Sequence, residues 1–186
     1  ISSINNIALI SLEGSGMVGI PGFSKRLFEV LAAQKINVIL ITQSSSEHSI
    51  CVGIDAHNAK NARLAIDEAF AYEIDAKKVE PLQVENGLAI IALVGDQMKN
   101  HTGISGRLFS ALGKNGVNIR AISQGSSERN ISAVLNKADI NKAINVIHEA
   151  FFEIEYKEIN LFIAGTGKKK KKLLAQIALQ QEFLKE

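Results

Sequence analysis

Tryptophan is absent from this 186-residue chain, and it holds one cysteine, two prolines and two tyrosines. A single cysteine, Cys51, excludes an internal disulfide and suits a reducing compartment, the cytoplasm. Set in "SICVGI", it reads as a small buried hydrophobe rather than a nucleophile. The scarcity of aromatics leaves the strand-like stretches aliphatic, with no stacking platform for single-stranded RNA. No apolar run approaches the ~18 residues a membrane helix needs. No signal peptide is present, and a first residue Ile1 points to a piece of something longer. The four histidines, His48, His57, His101 and His148, have no metal-ligand spacing, and no Ser-His-Asp arrangement can be argued. The net charge of +2 comes from five lysines at Lys168–Lys172; without them 16 basic residues face 19 acidic ones. The body of the chain therefore has no general attraction for nucleic acid or for a membrane surface.

What the chain does have is a duplication. Ile7–Phe70 lies over Leu88–Phe151 without a gap, with about 23 of 64 positions identical. "GFSKRLFEVL" faces "GISGRLFSAL", and "INVILITQSSSEHSI" faces "VNIRAISQGSSERNI". Two repeats are too few for a solenoid, so two paired domains are expected.

The pattern inside each repeat gives the elements. Ile7–Gly14 reads as a buried strand, and Gly14–Gly22 as a glycine-rich loop. Phe23, Leu27 and Leu31 mark a helix over Gly22–Gln34. "INVILITQ" is a strand, "SSSEH" a turn, and "SICVGID" its hairpin partner. Ala62, Ile66 and Phe70 mark a second helix, and "KKVEPLQVE" gives a weaker edge strand. The second repeat predicts elements at Leu88–Gly95, Gly103–Asn115, Val117–Gly125, Asn130–Asn136 and Ile140–Phe152, with a last strand at Glu153–Lys157. This order, β-α-β-β-α-β, is ferredoxin-like, and the fold class is α+β with two such domains side by side. The expected domains are residues 1–86, 87–158 and a short third piece, 159–186. Strands such as "INVILI" are apolar on both sides, which calls for a partner sheet or a second chain over the face the helices leave open.

A ligand could sit at the first loop. Gly14, Gly16, Gly19 and Gly22 let backbone N–H groups turn toward an anion, and the following helix offers its positive end. A period of two puts Asn37, Ile39, Ile41 and Gln43 on one strand face, with the Gln43 amide able to donate or accept. The second repeat offers Gly95, Gly103, Asn118 and Gln124 in the same places, but Arg120 stands where Ile39 does. The two pockets are therefore expected to differ. On pattern alone the glycines are equally at home as tight turns, and the glutamines as solvated strand ends.

"GMVGIPGFSKRLFEVL…INVILITQSSSEHSI" together with "ALVGDQMKNHTGISGRLFSALGKNGVNIRAISQGSSERNISAVLNK" resembles the paired ACT domains of aspartate kinases, in particular the bifunctional aspartokinase–homoserine dehydrogenases. The likeness covers nearly the whole chain, and "EINLFIAGTG" looks like the opening of a dehydrogenase domain. The resemblance implies an allosteric module that binds threonine and feedback-inhibits attached catalytic domains, with no catalytic residue of its own. It implies ligand contacts at Met17, Gly19, Ile20, Gly22, Asn37, Ile39 and Gln43, and at their second-repeat counterparts Met98, Gly103, Asn118 and Gln124. Lysine-sensing relatives carry acidic residues where this chain has Ile39 and Ser45, so a lysine ammonium would lack a countercharge. The resemblance also implies a homodimer or higher homo-oligomer, and a parent that uses ATP with Mg and NAD(P), while this piece needs no cofactor. A module that only dimerises the parent and binds nothing is the alternative.

"GTGKKKKKLLAQI" departs from a dinucleotide fingerprint: Gly165 and Gly167 are present, but Lys170 stands at the third glycine. Nucleotide binding by this piece is not expected.

Overall fold

The computed structural model describes residues 1–43, 48–96, 98, 101–125 and 129–152, with residues 172 and 176. The chain divides into two compact units, Ile1–Glu153 and Ile154–Glu186. All the elements below belong to the first. The lysine run, the broken fingerprint and the strand expected at Glu153–Lys157 fall, apart from residue 172, outside the described residues.

The first repeat forms β1 (Ser2–Glu13), α1 (Phe23–Ala33), β2 (Val38–Gln43), β3 (Ser49–Asp55), α2 (Ala59–Ala69) and a short α3 (Ala71–Asp75). The second forms β4 (Gln83–Val94), α4 (Ile104–Lys114), β5 (Ile119–Gln124), β6 (Asn130–Asn136) and α5 (Ile140–Phe152). In α1 the residues Phe23, Leu27 and Leu31 are buried four apart, while Lys25 and Glu29 pair on the outer face at 3.5 Å. Gly22 opens the helix in the left-handed region at φ 104°, and Lys35 closes it at φ 57°. The Ile36 N–H then reaches back to the Leu31 carbonyl, the bond that ends many helices.

The six strands of the described residues share one sheet, in the order β2-β3-β1-β4-β6-β5. β1 and β4 lie antiparallel at its centre and serve both halves. Glu85, Val84 and Gln83 pair with Leu9, Ile10 and Ser11, so the start of β4 is the fourth strand of the first half. Ser2, Ser3 and Ile4 pair with Ala92, Ile91 and Ile90, so the start of β1 takes the fourth place in the second half. The expected boundary between residues 86 and 87 thus falls inside one continuous strand. Each half still has ferredoxin-like strand order with two helices on one face.

Three cores result. α1 and α2 cover the first half over Ile10, Leu12, Val52 and Ile54. α4 and α5 cover the second over Ile91, Leu93, Ala133 and Leu135. The third lies between the halves: Ile7, Leu9 and Leu40 meet Leu88, Ile90 and Val134. The partner sheet that the aliphatic strands required is therefore the other half of the same sheet. The edge strands come back on each other, with the Ser123 hydroxyl donating to the Ile41 carbonyl at 3.5 Å. Among the described residues no polar or charged side chain is buried.

Candidate functional site

The glycines before α1 do two different jobs. A Cβ on Gly14 would stand 2.3 Å from the Lys78 carbonyl oxygen, and one on Gly16 would stand 2.5 Å from the Lys78 Cβ. These two let the loop lie against the segment leading to β4, where the Gly16 N–H donates to the Lys78 carbonyl at 2.9 Å. Gly19 and Gly22 face open space and adopt φ of 68° and 104°, which side-chain-bearing residues resist. Between them, a turn closes where the Ile20 N–H bonds the Met17 carbonyl at 3.2 Å. Among the described residues no side chain caps α1. Its first N–H groups lack intrahelical partners and carry the positive end of the helix dipole.

The result is a pocket of about 300 Å³ lined by Met17, Gly19, Ile20, Pro21, Gly22, Phe23, Ser24, Gln43 and Ile50. Five of the seven residues expected in the first repeat meet here: Met17, Gly19, Ile20, Gly22 and Gln43. The other two do not. Asn37 is exposed ahead of β2. Ile39 packs with the core between the halves. The cause is a bulge: Val38 pairs with Ile54 and Leu40 with Gly53, so Ile39 is an extra residue that shifts the alternation. The single face expected to hold Asn37, Ile39, Ile41 and Gln43 is thus broken, and only Ile41 and Gln43 share a side beyond the bulge.

The second repeat rebuilds the pocket at about 230 Å³ from Met98, His101, Gly103, Ile104, Ser105, Gly106, Gln124 and Ile131. Gly103 again opens the helix, at φ 87° with no side-chain cap. Met98, Gly103 and Gln124 are where the sequence places them; Asn118 is exposed before β5 and does not line the pocket. The bulge recurs, with Ile119 opposite Leu135 and Ala121 opposite Val134. Arg120, the extra residue, does not line this pocket: its Nε is 3.1 Å from Glu85 Oε1. The expected difference between the pockets does not arise from Arg120. One difference is a hydrogen bond, from the Ser105 hydroxyl to the Gln124 amide oxygen at 3.2 Å.

Sequence reasoning missed Pro21, Phe23, Ser24 and Ile50, and His101, Ile104, Ser105, Gly106 and Ile131. The serines were legible as the second helical residue of each repeat, next to the uncapped start. Among the described residues, no acidic or basic side chain lines the first pocket. A larger cleft of about 490 Å³, lined by Ser2, Ile39, Val94 and Ser132 among others, opens between the halves. Its described lining residues include no glycine loop and no helix start, so the smaller pair is the better candidate. Burial pushes the Cys51 thiol up, against a Ser11 hydrogen bond, which keeps it protonated and unreactive. Among the described residues no cluster could hold a metal ion, and no helix is long and apolar enough to cross a membrane.

The ACT-domain family model matches residues 10–70 and again 91–151. The chain is 39% identical over 184 residues to the bifunctional aspartokinase/homoserine dehydrogenase of Haemophilus influenzae, covering 99% of this chain and 22% of that protein. It is 37% identical to the chloroplastic enzyme of the same description from Daucus carota, covering 100% of this chain and 20% of that one. The chain thus spans about a fifth of the length of these relatives. Among solved structures, Clostridium acetobutylicum aspartate kinase matches with a TM-score of 0.70 at 25% identity, over 80% of this chain and 34% of that one. E. coli aspartokinase III in complex with lysine and aspartate matches with a TM-score of 0.62 at 28% identity, over 81% of this chain and 32% of that one.

Proposed function

Since this chain belongs to the ACT-domain family, we propose that it is the effector-sensing region of a bifunctional aspartokinase/homoserine dehydrogenase, with threonine as the effector. The observation that carries this reading is the same convergence in both halves. An uncapped helix start, a left-handed glycine and a strand-end glutamine line one small pocket. The helix start suits an amino-acid carboxylate. The amides of Gln43 and Gln124 suit a hydroxyl, as donor or acceptor. Met17 and Ile50 offer an apolar wall for a methyl group. A lysine ammonium would meet no countercharge among the described residues that line the first pocket, and burying an unpaired charge is costly.

Regulation then follows from shared strands. β1 runs into the first pocket's loop, and β4 runs into the second's. Each also completes the other half's sheet, so a ligand that stiffens one loop bears on both halves. A coupling of ~1–3 kcal/mol is ordinary for such a device. The phosphoryl and hydride chemistry of the parent, with its ATP, Mg and NAD(P), belongs to other parts of that protein. Threonine feedback inhibits them, and the parent assembles as a homodimer or larger homo-oligomer.

The test is thermal unfolding of this chain with millimolar threonine or lysine. Threonine raises the melting temperature and lysine does not; Gln43→Ala blunts the response, whereas Lys60→Ala on the exposed side of α2 leaves it intact. An unchanged melting temperature with threonine would favour a module that dimerises the parent and binds nothing.

A further inference from the structure

Seven of the eight described residues lining the second pocket are the counterparts, 81 positions on, of residues lining the first. Five of these seven pairs are identical: Met17 and Met98, Gly22 and Gly103, Ser24 and Ser105, Gln43 and Gln124, Ile50 and Ile131. Phe23 and Ile104 differ but are both apolar. Among the described residues, one shared position changes character, where Ile20 becomes His101. One backbone hydrogen bond recurs at this position in both halves. The Ile20 N–H bonds the Met17 carbonyl at 3.2 Å, and the His101 N–H bonds the Met98 carbonyl at 3.1 Å. The two side chains therefore belong to residues with equivalent backbone hydrogen bonds, each lining its own pocket.

We infer that the residue at this position sets how strongly each pocket selects for an apolar substituent on its ligand, so that the second pocket, walled by His101, is the less selective of the two. This rests on the amino-acid reading above and deepens it. In an apolar pocket one methyl group is worth ~10–200-fold in discrimination. Threonine and serine differ by that one methyl. Ile20 adds aliphatic wall for it in the first pocket. His101 puts a polar ring, not an aliphatic chain, among the second pocket's lining residues, so the same methyl gains less there. The chain would then hold one site that separates threonine from serine and one that responds to small hydroxy amino acids as a class.

Calorimetry on the 186-residue chain, with threonine and with serine as probes, tests this. Gln43→Ala isolates the second pocket and Gln124→Ala the first. The threonine-to-serine affinity ratio is expected to be about tenfold or more higher in the Gln124→Ala chain. Adding His101→Ile to Gln43→Ala raises the second pocket's ratio toward that of the first. Adding Ile20→His to Gln124→Ala lowers the first pocket's ratio, and serves as the reciprocal check should the other swap fold poorly. Equal ratios in the two pockets, or ratios that neither swap moves, overturn the inference while leaving amino-acid binding in place. No heat from either amino acid in the unaltered chain overturns the amino-acid reading itself, and this inference with it.

Discussion

Arg26 of α1 grips Glu73 of α3 with both terminal nitrogens, Nη1 on Oε1 and Nη2 3.3 Å from Oε2. Nη2 also donates to the Ala69 carbonyl at 2.6 Å, and the guanidinium stacks 4.3 Å from the centre of the Phe70 ring. The second repeat keeps the stacking, with Arg107 over Phe151 at 5.1 Å. This clamp ties the first turn of α1, which walls the first pocket, to the end of α2.

The clamp makes acid stability specific. The Arg26 hydrogen bond holds the Glu73 carboxyl below its ordinary 4.5. A lowered carboxyl adds stability above that ordinary value and loses it as pH falls through the lower folded value. Arg26 is 42% exposed, so solvent screens the pair, and Arg26→Ala costs about 1–2 kcal/mol, stacking included. The melting temperature near pH 7 falls by about 2–8 °C. Glu73→Gln narrows the gap between neutral and acid melting temperatures; an unchanged gap in that variant counts against the clamp.

Lys35 offers a gain. It ends α1 at φ 57°, while its counterpart Gly116 ends α4 at φ 67°. A left-handed conformation costs a side-chain-bearing residue roughly 1–2 kcal/mol, part of which glycine returns through its unfolded-state entropy. Lys35→Gly is therefore stabilising by about 0.5–1 kcal/mol, and denaturant unfolding with an unchanged m-value reads it directly.

The elements closed by local signals were legible in the sequence. Asn130–Asn136 and Ile140–Phe152 stand where alternation, period and flanking turn residues put them. The sharing of β1 and β4 was not legible. Pairing Ser2–Ile4 with Ile90–Ala92 joins residues far apart in the chain, and nothing in "ISSIN" marks it as a strand of the second half. Nor were the bulges at Ile39 and Arg120 visible, because an extra residue in a strand leaves its composition unchanged while turning every earlier side chain to the other face. The candidate pocket was legible where it depends on the glycine loop and the strand-end glutamine, which lie on one side of that bulge. It failed for Asn37, Ile39 and Asn118, which lie at the bulge or before it.

Gly14 and Gly113 should answer the same substitution in opposite ways. A methyl at Gly14 meets the Lys78 backbone at 2.3 Å, which neither segment can yield without shifting. Gly14→Ala then costs about 1–3 kcal/mol as overpacking. Gly113 sits inside α4 with nothing near its Cβ direction. Gly113→Ala raises helix propensity and stabilises by about 0.5–1 kcal/mol. Melting curves of the two variants, taken together, separate glycines kept for space from one that is merely tolerated.

The Arg120–Glu85 pair can be replaced by what the other half already uses. The counterparts of Arg120 and Glu85 are Ile39 and Ile4, which line the cleft between the halves. The ion pair is 44% and 45% exposed, so its coupling is worth only about 0.2–1 kcal/mol. Arg120→Ile alone leaves Glu85 on an apolar face without its partner and lowers stability. Arg120→Ile with Glu85→Ile removes both charges and adds aliphatic contact, so the double variant recovers at least the stability the single one loses. A double-mutant cycle by urea unfolding measures this, and a double variant less stable than either single would show that the ion pair holds the halves together in a way the aliphatic pair does not.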